Sequence, residues 1–310
     1  MDVKIMKVKE RNPDTGERTP KILIIGGSGL LGSKLSVCLE QHNYDVYSTY
    51  HQALLGTSEK KYRLDITKKE DVERLLQNVH PEIIIHTAAY TNVDACEENK
   101  AVAYAVNVGG TLNLIHSNKN IGAKFVYIST DYVFDGNKGY YKEDDERNPI
   151  NYYGRTKLEG ELLVEQQCDD FIIARTSVLY GSRKNNFILW LLEQLEQGKQ
   201  VNIVDDQYVS PTLNLDLAEQ LMKLLEQNAT GVFHTAGGER ISRYDLAVIV
   251  ADMFGYDKHR INPVSMRDMK WLAPRPKDSS LDVSKLTPFK KPYKVKEAIN
   301  LLKEELGSRT

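Results

Sequence analysis

The chain has 310 residues, of which 41% are hydrophobic and 27% charged, an ordinary balance for a globular protein with a substantial core. Its 41 basic and 43 acidic residues give a formal net charge of −2, so composition offers no electrostatic reason to expect nucleic acid or an anionic membrane as a partner. No apolar run approaches the roughly 18 residues that cross a bilayer. The first twenty residues are charged and lack the apolar core of a secretory signal.

The cysteines indicate a reducing compartment. Cys38, Cys96 and Cys168 are odd in number, far apart and without a Cys-x-x-Cys pair. Such spacing is typical of reduced thiols and not of a disulfide framework or a zinc site. The sequence therefore predicts a cytoplasmic protein, and we expect no bound metal.

From Lys21 onward, short apolar runs alternate with helical stretches. Residues 1–20 are polar, with a turn cluster at 12–16, and are interpreted as an extension outside the fold. A strand at 22–25 is followed by a helix at 30–41, and a second helix ends before Pro81. Further strands are predicted at 45–50, 82–86, 125–128 and 171–174, with a long helical region over 97–120.

This alternation predicts the fold class. Short β-rich runs separated by helices indicate βαβ units and a mostly parallel sheet that is buried on both faces. After about Arg175 the spacing becomes irregular and proline is denser, which indicates a second, loop-rich lobe. The prediction is an α/β protein with a Rossmann-like doubly wound parallel sheet over 21–175 and a smaller C-terminal substrate-binding lobe, mainly 176–310, whose boundary is interleaved.

A glycine-rich turn lies between the first strand and the first helix. Gly26, Gly29 and Gly32 permit a tight turn, a close approach of the backbone to a pyrophosphate, and close packing of helix on strand. The amides of the helix start, at Leu30 and Leu31, offer donors to phosphate. The turn predicts dinucleotide binding, and the alternative is a tight βα turn without a ligand.

The end of the second strand bears on the choice of dinucleotide. An acidic residue usually follows the glycine turn by roughly 20 residues and holds the ribose of NAD. Here residues 48–51 read Ser-Thr-Tyr-His and carry no carboxylate, whereas His51, Lys60, Lys61 and Arg63 could meet a 2′-phosphate. NADP(H) is therefore favoured, with NAD(H) as the alternative, unless these charges only form a solvated face.

A catalytic group is predicted from two further segments. Tyr153 and Lys157 form a Tyr-x-x-x-Lys pair, which shares one face of a helix. A neighbouring ammonium would lower the pKa of the phenol by ~3 units and make it an acid–base group near neutral pH. Thr130 ends a buried strand, where it could hydrogen-bond a substrate carbonyl. The alternative for the pair is an ordinary exposed helix face.

At these residues the sequence resembles the extended short-chain dehydrogenase/reductases, and among them the dTDP-4-dehydrorhamnose reductase family. The resemblance runs from about Lys21 to Leu306. Beyond the glycine turn, it rests on the segments 86–94 (HTAAYTNVD), 129–136 (STDYVFDG), 153–161 (YGRTKLEGE), 175–177 (RTS), 185–187 (NNF), 206–207 with 210–212 (DQ, SPT), and 275–276 leading to 280–281 (RP, SL).

This resemblance implies an activity and a set of residue roles. The activity is NAD(P)H-dependent reduction of the C4 keto group of dTDP-4-dehydro-L-rhamnose, a dTDP-linked 4-keto-6-deoxy sugar, in the synthesis of cell-surface polysaccharide. Thr130, Tyr153 and Lys157 would be catalytic, with Lys157 also bound to the nicotinamide ribose. The other implied contacts are Asp65 and Ile66 at the adenine, Ala88, Ala89 and Tyr90 along the cofactor, and Thr91, Asn186 and Arg275 at the substrate.

One departure from the family keeps the sugar open. Val178 stands where the family usually has a Trp that packs on the sugar. A reductase or epimerase of another nucleotide-linked sugar is therefore an alternative. A second alternative is a non-catalytic partner, because the regulatory β subunit of methionine adenosyltransferase shares similar segments. The sequence leaves room for a homodimer.

Overall fold

The computed structural model describes residues 19–52 and 58–308. Apart from Thr19 and Pro20, the predicted N-terminal extension lies outside the described residues. The strands are β1 Lys21–Ile25, β2 Asp45–Tyr50, β3 Lys61–Arg63, β4 Ile83–His86, β5 Lys124–Thr130, β6 Phe171–Thr176, β7 Leu179–Tyr180, β8 Val201–Val204, β9 Tyr208–Val209, β10 Thr212–Leu213, β11 Gly231–His234, β12 Ile241–Ser242 and β13 Ile261–Val264. The helices are α1 Leu30–Gln41, α2 Lys69–Val79, α3 Val93–Glu98, α4 Lys100–Tyr104, α5 Gly110–Asn118, α6 Tyr152–Gln167, α7 Phe187–Glu196, α8 Asn214–Glu226, α9 Arg243–Phe254 and α10 Val295–Gly307.

The main sheet has seven strands in the order β11-β6-β5-β4-β1-β2-β3. All neighbouring pairs are parallel. The chain moves outward in one direction from β1 to β3 and in the other from β4 to β11, so the order reverses between β1 and β4. A crevice forms at such a reversal, outside the carboxyl ends of the strands. The predicted Rossmann-like doubly wound sheet is confirmed.

The first strand shows why this sheet is buried on both faces. Ile22 and Ile24 pack into one apolar cluster with α1 and α8, whereas Leu23 and Ile25 pack into another with α2 and α5. All four side chains are fully buried. Because successive side chains of a strand point to opposite faces, the side chains of an unbroken apolar run are all buried only if helices cover both faces of the sheet.

The C-terminal part of the chain contributes to two places. β11 extends the main sheet beside β6, and α8 packs on α1. A separate apolar cluster joins α7, α9 and α10 with β8 and β13. The second lobe therefore shares its chain with the main sheet, and the division near residue 175 stays a prediction.

The helical region predicted over 97–120 is interrupted. It consists of α3 and α4, a π-helical turn at Ala105–Gly109, and α5. The Asn92 side chain caps α3 by accepting from the amide of Ala95. The π turn adds a residue to one helical turn and directs Asn107 into the interior, where it is buried. Such wide turns are often found at functional sites.

Candidate active site

A cavity of about 590 Å³ opens at the carboxyl ends of the central strands. Ligands of open α/β sheets bind at this position. The predicted site residues that line the cavity are Gly26, Gly29, Leu30, Leu31, Ala88, Ala89, Thr91, Thr130, Tyr153, Lys157 and Asn186. Five other predicted residues do not line it: Gly32, Asp65, Ile66, Tyr90 and Arg275.

The glycines make a cradle between β1 and α1. Gly26 has a φ of +90°, and a Cβ there would lie 2.8 Å from the amide nitrogen of Ala88. A Cβ on Gly32 would lie 2.3 Å from the carbonyl oxygen of Gly26, so this glycine permits the close packing of α1. Gly29 precedes α1 as its N-cap and has no side chain to cap the helix, so the start of α1 presents backbone donors to the cavity. Such donors at a helix start suit a phosphate.

Two hydroxyl groups hold this cradle in place. The amide of Gly26 donates to Thr49 Oγ1 of β2 at 3.0 Å. On the other side, the Thr87 hydroxyl donates to the carbonyl of Ile25 at 2.9 Å. The turn is thus tied to both neighbouring strands before any ligand binds.

Thr130 lies at the end of β5, beside a buried carboxyl group. Its hydroxyl donates to Asp131 Oδ1 at 3.0 Å and accepts from the amide of Tyr132 at 3.2 Å. The other carboxyl oxygen of Asp131 accepts from the hydroxyls of Ser177 at 2.8 Å and Ser279 at 2.5 Å. Burial raises the pKa of Asp131. These contacts fix where the Thr130 hydroxyl lies.

Two glycines bring helix α6 close to β5 and the turn that follows it. Asn151 caps α6 by accepting from the amide of Gly154 at 2.8 Å. A Cβ on Gly154 would lie 2.1 Å from the carbonyl oxygen of Tyr132, and one on Gly160 would lie 2.1 Å from the Tyr127 hydroxyl. This close packing places the two predicted catalytic side chains of α6 in the cavity.

The electrostatics of that pair differ from the sequence-based expectation. Burial lowers the pKa of Lys157 to about 7. Burial also raises the pKa of the Tyr153 phenol, the Asp131 carboxylate adds to that increase, and a hydrogen bond with Thr130 opposes it. The expected lowering of the phenol pKa is wrong for this arrangement, because burial dominates. Tyr153 therefore keeps its proton at neutral pH and can act as a proton donor.

The far side of the cavity carries a histidine. His51 is exposed and lines the cavity at the end of β2. Lys60 instead pairs with Asp45 at 2.6 Å and does not line the cavity. Asp65 accepts from the Thr67 hydroxyl at 2.7 Å, which lowers the pKa of Asp65, and nearby His51 lowers it further. Of the four basic residues considered for a 2′-phosphate, His51 is the one that lines the cavity.

Two further residues predicted at the cofactor, Ile66 and Tyr90, make contacts within the fold and do not line the cavity. Ile66 is buried against Gly110, where a Cβ would lie 2.5 Å from Ile66 Cδ1. The amide of Tyr90 donates to Asn107 Oδ1 at 2.7 Å, and its carbonyl accepts from Asn107 Nδ2 at 3.1 Å. Asn107 Nδ2 also donates to Thr156 Oγ1 at 2.9 Å. Asn107 thus links the segment after β4 to α6. In the sequence it is marked only by being a polar residue in a largely apolar region.

Asn186 uses its side chain within the fold. Its Oδ1 caps α7 by accepting from the amides of Ile188 and Leu189. Its Nδ2 donates to the carbonyls of Gly181 and Lys184. Each polar atom of this side chain therefore already has protein partners.

Arg275 lies outside the cavity in which it was expected, and Val178 has an unusual backbone conformation. Arg275 pairs with Asp94 at 3.0 Å, away from the cavity lining. Val178 lines the cavity with a φ of 40°, a left-handed backbone conformation that is strained for a β-branched residue. Sequence reasoning did not assign a role to Arg243 or Asp131, which also line the cavity.

These residues fit a nicotinamide dinucleotide. The glycine cradle has no room for a Cβ at Gly26, and the uncapped start of α1 offers donors for a diphosphate. The described residues contain no group of three or more His, Cys, Asp or Glu side chains arranged to hold a metal ion. Across the same described ranges, no helix is long and apolar enough to span a bilayer.

Comparison with known proteins gives consistent matches over the chain. It is 35% identical over 271 residues to the dTDP-4-dehydrorhamnose reductase of Mycobacterium tuberculosis, with 85% of each chain covered. The crystal structure of the dTDP-4-dehydrorhamnose reductase of Bacillus anthracis in complex with NADP superposes with a TM-score of 0.86 at 32% identity, over 93% of this chain and 100% of that one.

A third relative is not named as a reductase. The chain is 32% identical over 275 residues to methionine adenosyltransferase 2 subunit beta of Rattus norvegicus, covering 86% of this chain and 81% of that protein. The family model described as "RmlD substrate binding domain" matches residues 20–306. The expected extended short-chain dehydrogenase/reductase is confirmed, and the chain belongs to the RmlD substrate binding domain family.

Proposed function

We propose that this protein is an oxidoreductase that reduces the C4 keto group of a dTDP-linked 4-keto-6-deoxy sugar, with dTDP-4-dehydro-L-rhamnose as the first candidate and NADPH as the preferred reductant. The observation that carries this proposal is one cavity lined by the glycine cradle, Thr130, Tyr153 and Lys157. The names of the M. tuberculosis and B. anthracis relatives point to the same substrate class.

Each residue has a part in the proposed reaction. When bound, the nicotinamide supplies a hydride to the sugar C4. Tyr153 donates its proton to the oxygen on which negative charge develops, which is general acid catalysis. The Thr130 hydroxyl donates to Asp131 in this structure, and with substrate bound it would turn that proton to the sugar oxygen and position it by a hydrogen bond. Lys157 provides a nearby cation that stabilises the tyrosinate left behind.

Several observations support the choice of cofactor and compartment. The B. anthracis relative is described in complex with NADP, and His51 lines this cavity where an acidic residue would favour NAD. Cys38, Cys96 and Cys168 are free thiols, in keeping with a cytoplasmic enzyme. A homodimer stays a prediction, which analytical ultracentrifugation can test.

The test is oxidation of NADPH and NADH, followed by nicotinamide absorbance, with purified protein and dTDP-4-dehydro-L-rhamnose. We expect substrate-dependent oxidation that Tyr153→Phe abolishes while NADPH binding, measured by fluorescence, is retained. Tyr152→Phe is the matched control, since it changes the neighbouring tyrosine of α6 outside the cavity lining. Wild-type turnover in Tyr153→Phe would refute the assignment.

The same experiment addresses the alternatives. Tight NADPH binding without oxidation of any 4-keto nucleotide sugar would favour the alternative that this protein is a non-catalytic partner of another protein. The relative that is named as a methionine adenosyltransferase subunit suggests this alternative. Oxidation only with a different nucleotide sugar would retain the reductase and change the sugar, for which Val178 in the lining gives a structural reason.

A further inference from the structure

Arg243 is a cation on one side of the catalytic cavity and is firmly anchored there. It is the first residue of α9 and lines the cavity. Its amide donates to the carbonyl of Gln207 at 3.0 Å, and its Nε donates to Gln207 Oε1 at 2.7 Å. Gln207 is itself buried, and its Nε2 donates to the carbonyl of Pro276 at 3.2 Å. The position of the guanidinium is therefore set by the fold.

The outer end of this guanidinium is available to a ligand. Within the described residues, Arg243 forms no ion pair, and its one side-chain hydrogen bond uses Nε. The group lies 5.4 Å from the centre of the Phe187 ring, which supports it on one face. Nη1 and Nη2 form a planar fork that matches two oxygens of a phosphate or carboxylate.

Arg243 lies away from the glycine cradle. Its charge acts on Asp131 and Tyr132, which follow β5. The cradle follows β1, and β4 separates these two strands in the sheet. An anion held by Arg243 is therefore distinct from the diphosphate that the glycine cradle would hold.

The other candidates for an anion on this side are already engaged. The side chain of Asn186 caps α7 and donates to two carbonyls. Arg275 pairs with Asp94 outside the lining. Of the other basic residues on the described cavity wall, Lys157 lies on the catalytic helix and His51 lies at the end of β2. Arg243 is thus the cation best placed for an anion beyond the reacting sugar.

We propose that Arg243 holds the diphosphate of the nucleotide-sugar substrate through its two terminal nitrogens. This inference rests on the proposed function, and it assigns to Arg243 a role that the family resemblance gives to Asn186 and Arg275. Binding the diphosphate at this point fixes the sugar relative to Thr130 and Tyr153, which makes Arg243 a positioning residue for the transfer.

The experiment measures the binding of dTDP and of thymidine by calorimetry, without turnover. We expect Arg243→Gln to weaken dTDP binding at least tenfold while thymidine and NADPH bind as in the wild type. Arg243→Lys keeps the charge but not the planar fork, so its dTDP affinity should lie between that of the wild type and that of Arg243→Gln. Arg267→Gln, which changes an exposed arginine outside the cavity, is the matched control.

The outcomes separate this inference from the proposed function. If wild-type protein binds dTDP and Arg243→Gln binds it equally well, the assignment is overturned and the reductase remains. A loss in Arg275→Gln instead would likewise overturn it. An equal loss of thymidine and dTDP affinity in Arg243→Gln would overturn it too, because the residue would then shape the pocket without holding the diphosphate. If the wild type binds no dTDP, both the proposed function and this inference fail.

Discussion

The ammonium of Lys157 lies 3.9 Å from the centre of the Tyr127 ring. Tyr127 is fully buried in β5, and its ring forms an apolar, weakly attractive surface under the charge. Burial at this position lowers the pKa of Lys157 to about 7, while Glu161, one turn further along α6, opposes the decrease. The charge of Lys157 therefore changes within the range in which the enzyme would operate.

The first prediction is a pH dependence of reduction. Protonated Lys157 is lost as the pH rises through about 7, whereas Tyr153, whose pKa is raised above its ordinary value, keeps its proton well beyond that point. We expect kcat/KM, which reports the free enzyme, to be constant at low pH and to fall about tenfold per pH unit above 7. The residual kcat/KM of Lys157→Arg should lack this decrease, because arginine stays charged. A wild-type profile that is flat up to pH 9 would contradict the assignment.

The second prediction concerns stability. In the unfolded chain Lys157 has an ordinary pKa of about 10.4, so between pH 7 and that value the unfolded state binds the proton that the native state has released. Stability therefore rises with pH across this window, and the cost of burying the charge is largest below pH 7.

The substitution Lys157→Met removes this cost. We expect an inactive variant that is more stable than the wild type by a few kcal/mol below pH 7, with each pKa unit worth about 1.4 kcal/mol. The difference should shrink between pH 7 and 10, as measured by urea unfolding. Lys296→Met, on the surface of α10, is the control and should show no such trend. A gap that grows with pH would have the wrong sign.

The third prediction tests the close packing of α6 on β5. A Cβ on Gly160 would lie 2.1 Å from the Tyr127 hydroxyl and 2.7 Å from Cζ of that ring. Gly160→Ala should therefore destabilise the protein by about 1–3 kcal/mol. It should also lower kcat, because the displaced ring is the surface on which Lys157 lies.

A control and a rescue make this prediction specific. At Gly109, also in a helical segment, the nearest atom to a Cβ is 3.9 Å away, so Gly109→Ala should leave kcat unchanged and should not lower the melting temperature, since alanine favours a helix over glycine. Adding Tyr127→Phe to Gly160→Ala removes the closest contact and should restore part of the stability. A Gly160→Ala protein with the melting temperature and turnover of the wild type would show that α6 does not pack closely on Tyr127 at this position.

The glycine cradle and the catalytic helix could be predicted from sequence because their signals are local. Gly26, Gly29 and Gly32 follow an apolar run directly, and Tyr153 and Lys157 are four residues apart on one helix. The surroundings of Asp131 could not be predicted, since its partners Ser177 and Ser279 are 46 and 148 residues away. Arg243 went unassigned for a similar reason, because its anchor Gln207 is 36 residues away.

Burial is the second quantity that the sequence did not provide. The Tyr-x-x-x-Lys spacing correctly indicated a shared helix, yet the direction of the Tyr153 pKa depends on desolvation and on Asp131. Likewise, the Arg-Pro segment at 275–276 gives no sign that Arg275 pairs with Asp94, nearly two hundred residues earlier. The charged residues of a sequence identify candidates for a site. The direction of a pKa shift and the partner of a charge depend on the residues that surround each group in the fold.

The fourth prediction concerns the choice of cofactor. His51 lines the cavity at the end of β2, close to Asp65. His51→Glu would place a carboxylate where it can accept from the ribose hydroxyls of NADH and repel a 2′-phosphate. We expect the ratio of kcat/KM for NADPH over NADH to fall about tenfold or more, since each 1.4 kcal/mol is a factor of ten.

A distant histidine provides the comparison for that change. His259 is exposed and lies outside the cavity lining, so His259→Glu alters net charge equally without touching the cofactor. The ratio in that variant should remain at the wild-type value. An unchanged ratio in His51→Glu would indicate that residues other than His51 select the cofactor.

The last prediction concerns the strained backbone at Val178. Its φ of 40° is a conformation that costs a β-branched residue about 1–3 kcal/mol and that glycine adopts freely, and the amide of Thr212 holds it by donating to its carbonyl at 3.2 Å. We expect Val178→Gly to be more stable than Val178→Ala in thermal unfolding, because alanine keeps the strain while losing the side chain. At most positions the order is the reverse, since glycine loses more entropy on folding. Both variants should raise KM for the sugar with little change in kcat, because Val178 lines the cavity and is not in the proposed proton-transfer group. An alanine variant that melts above the glycine variant would show that this backbone is not strained.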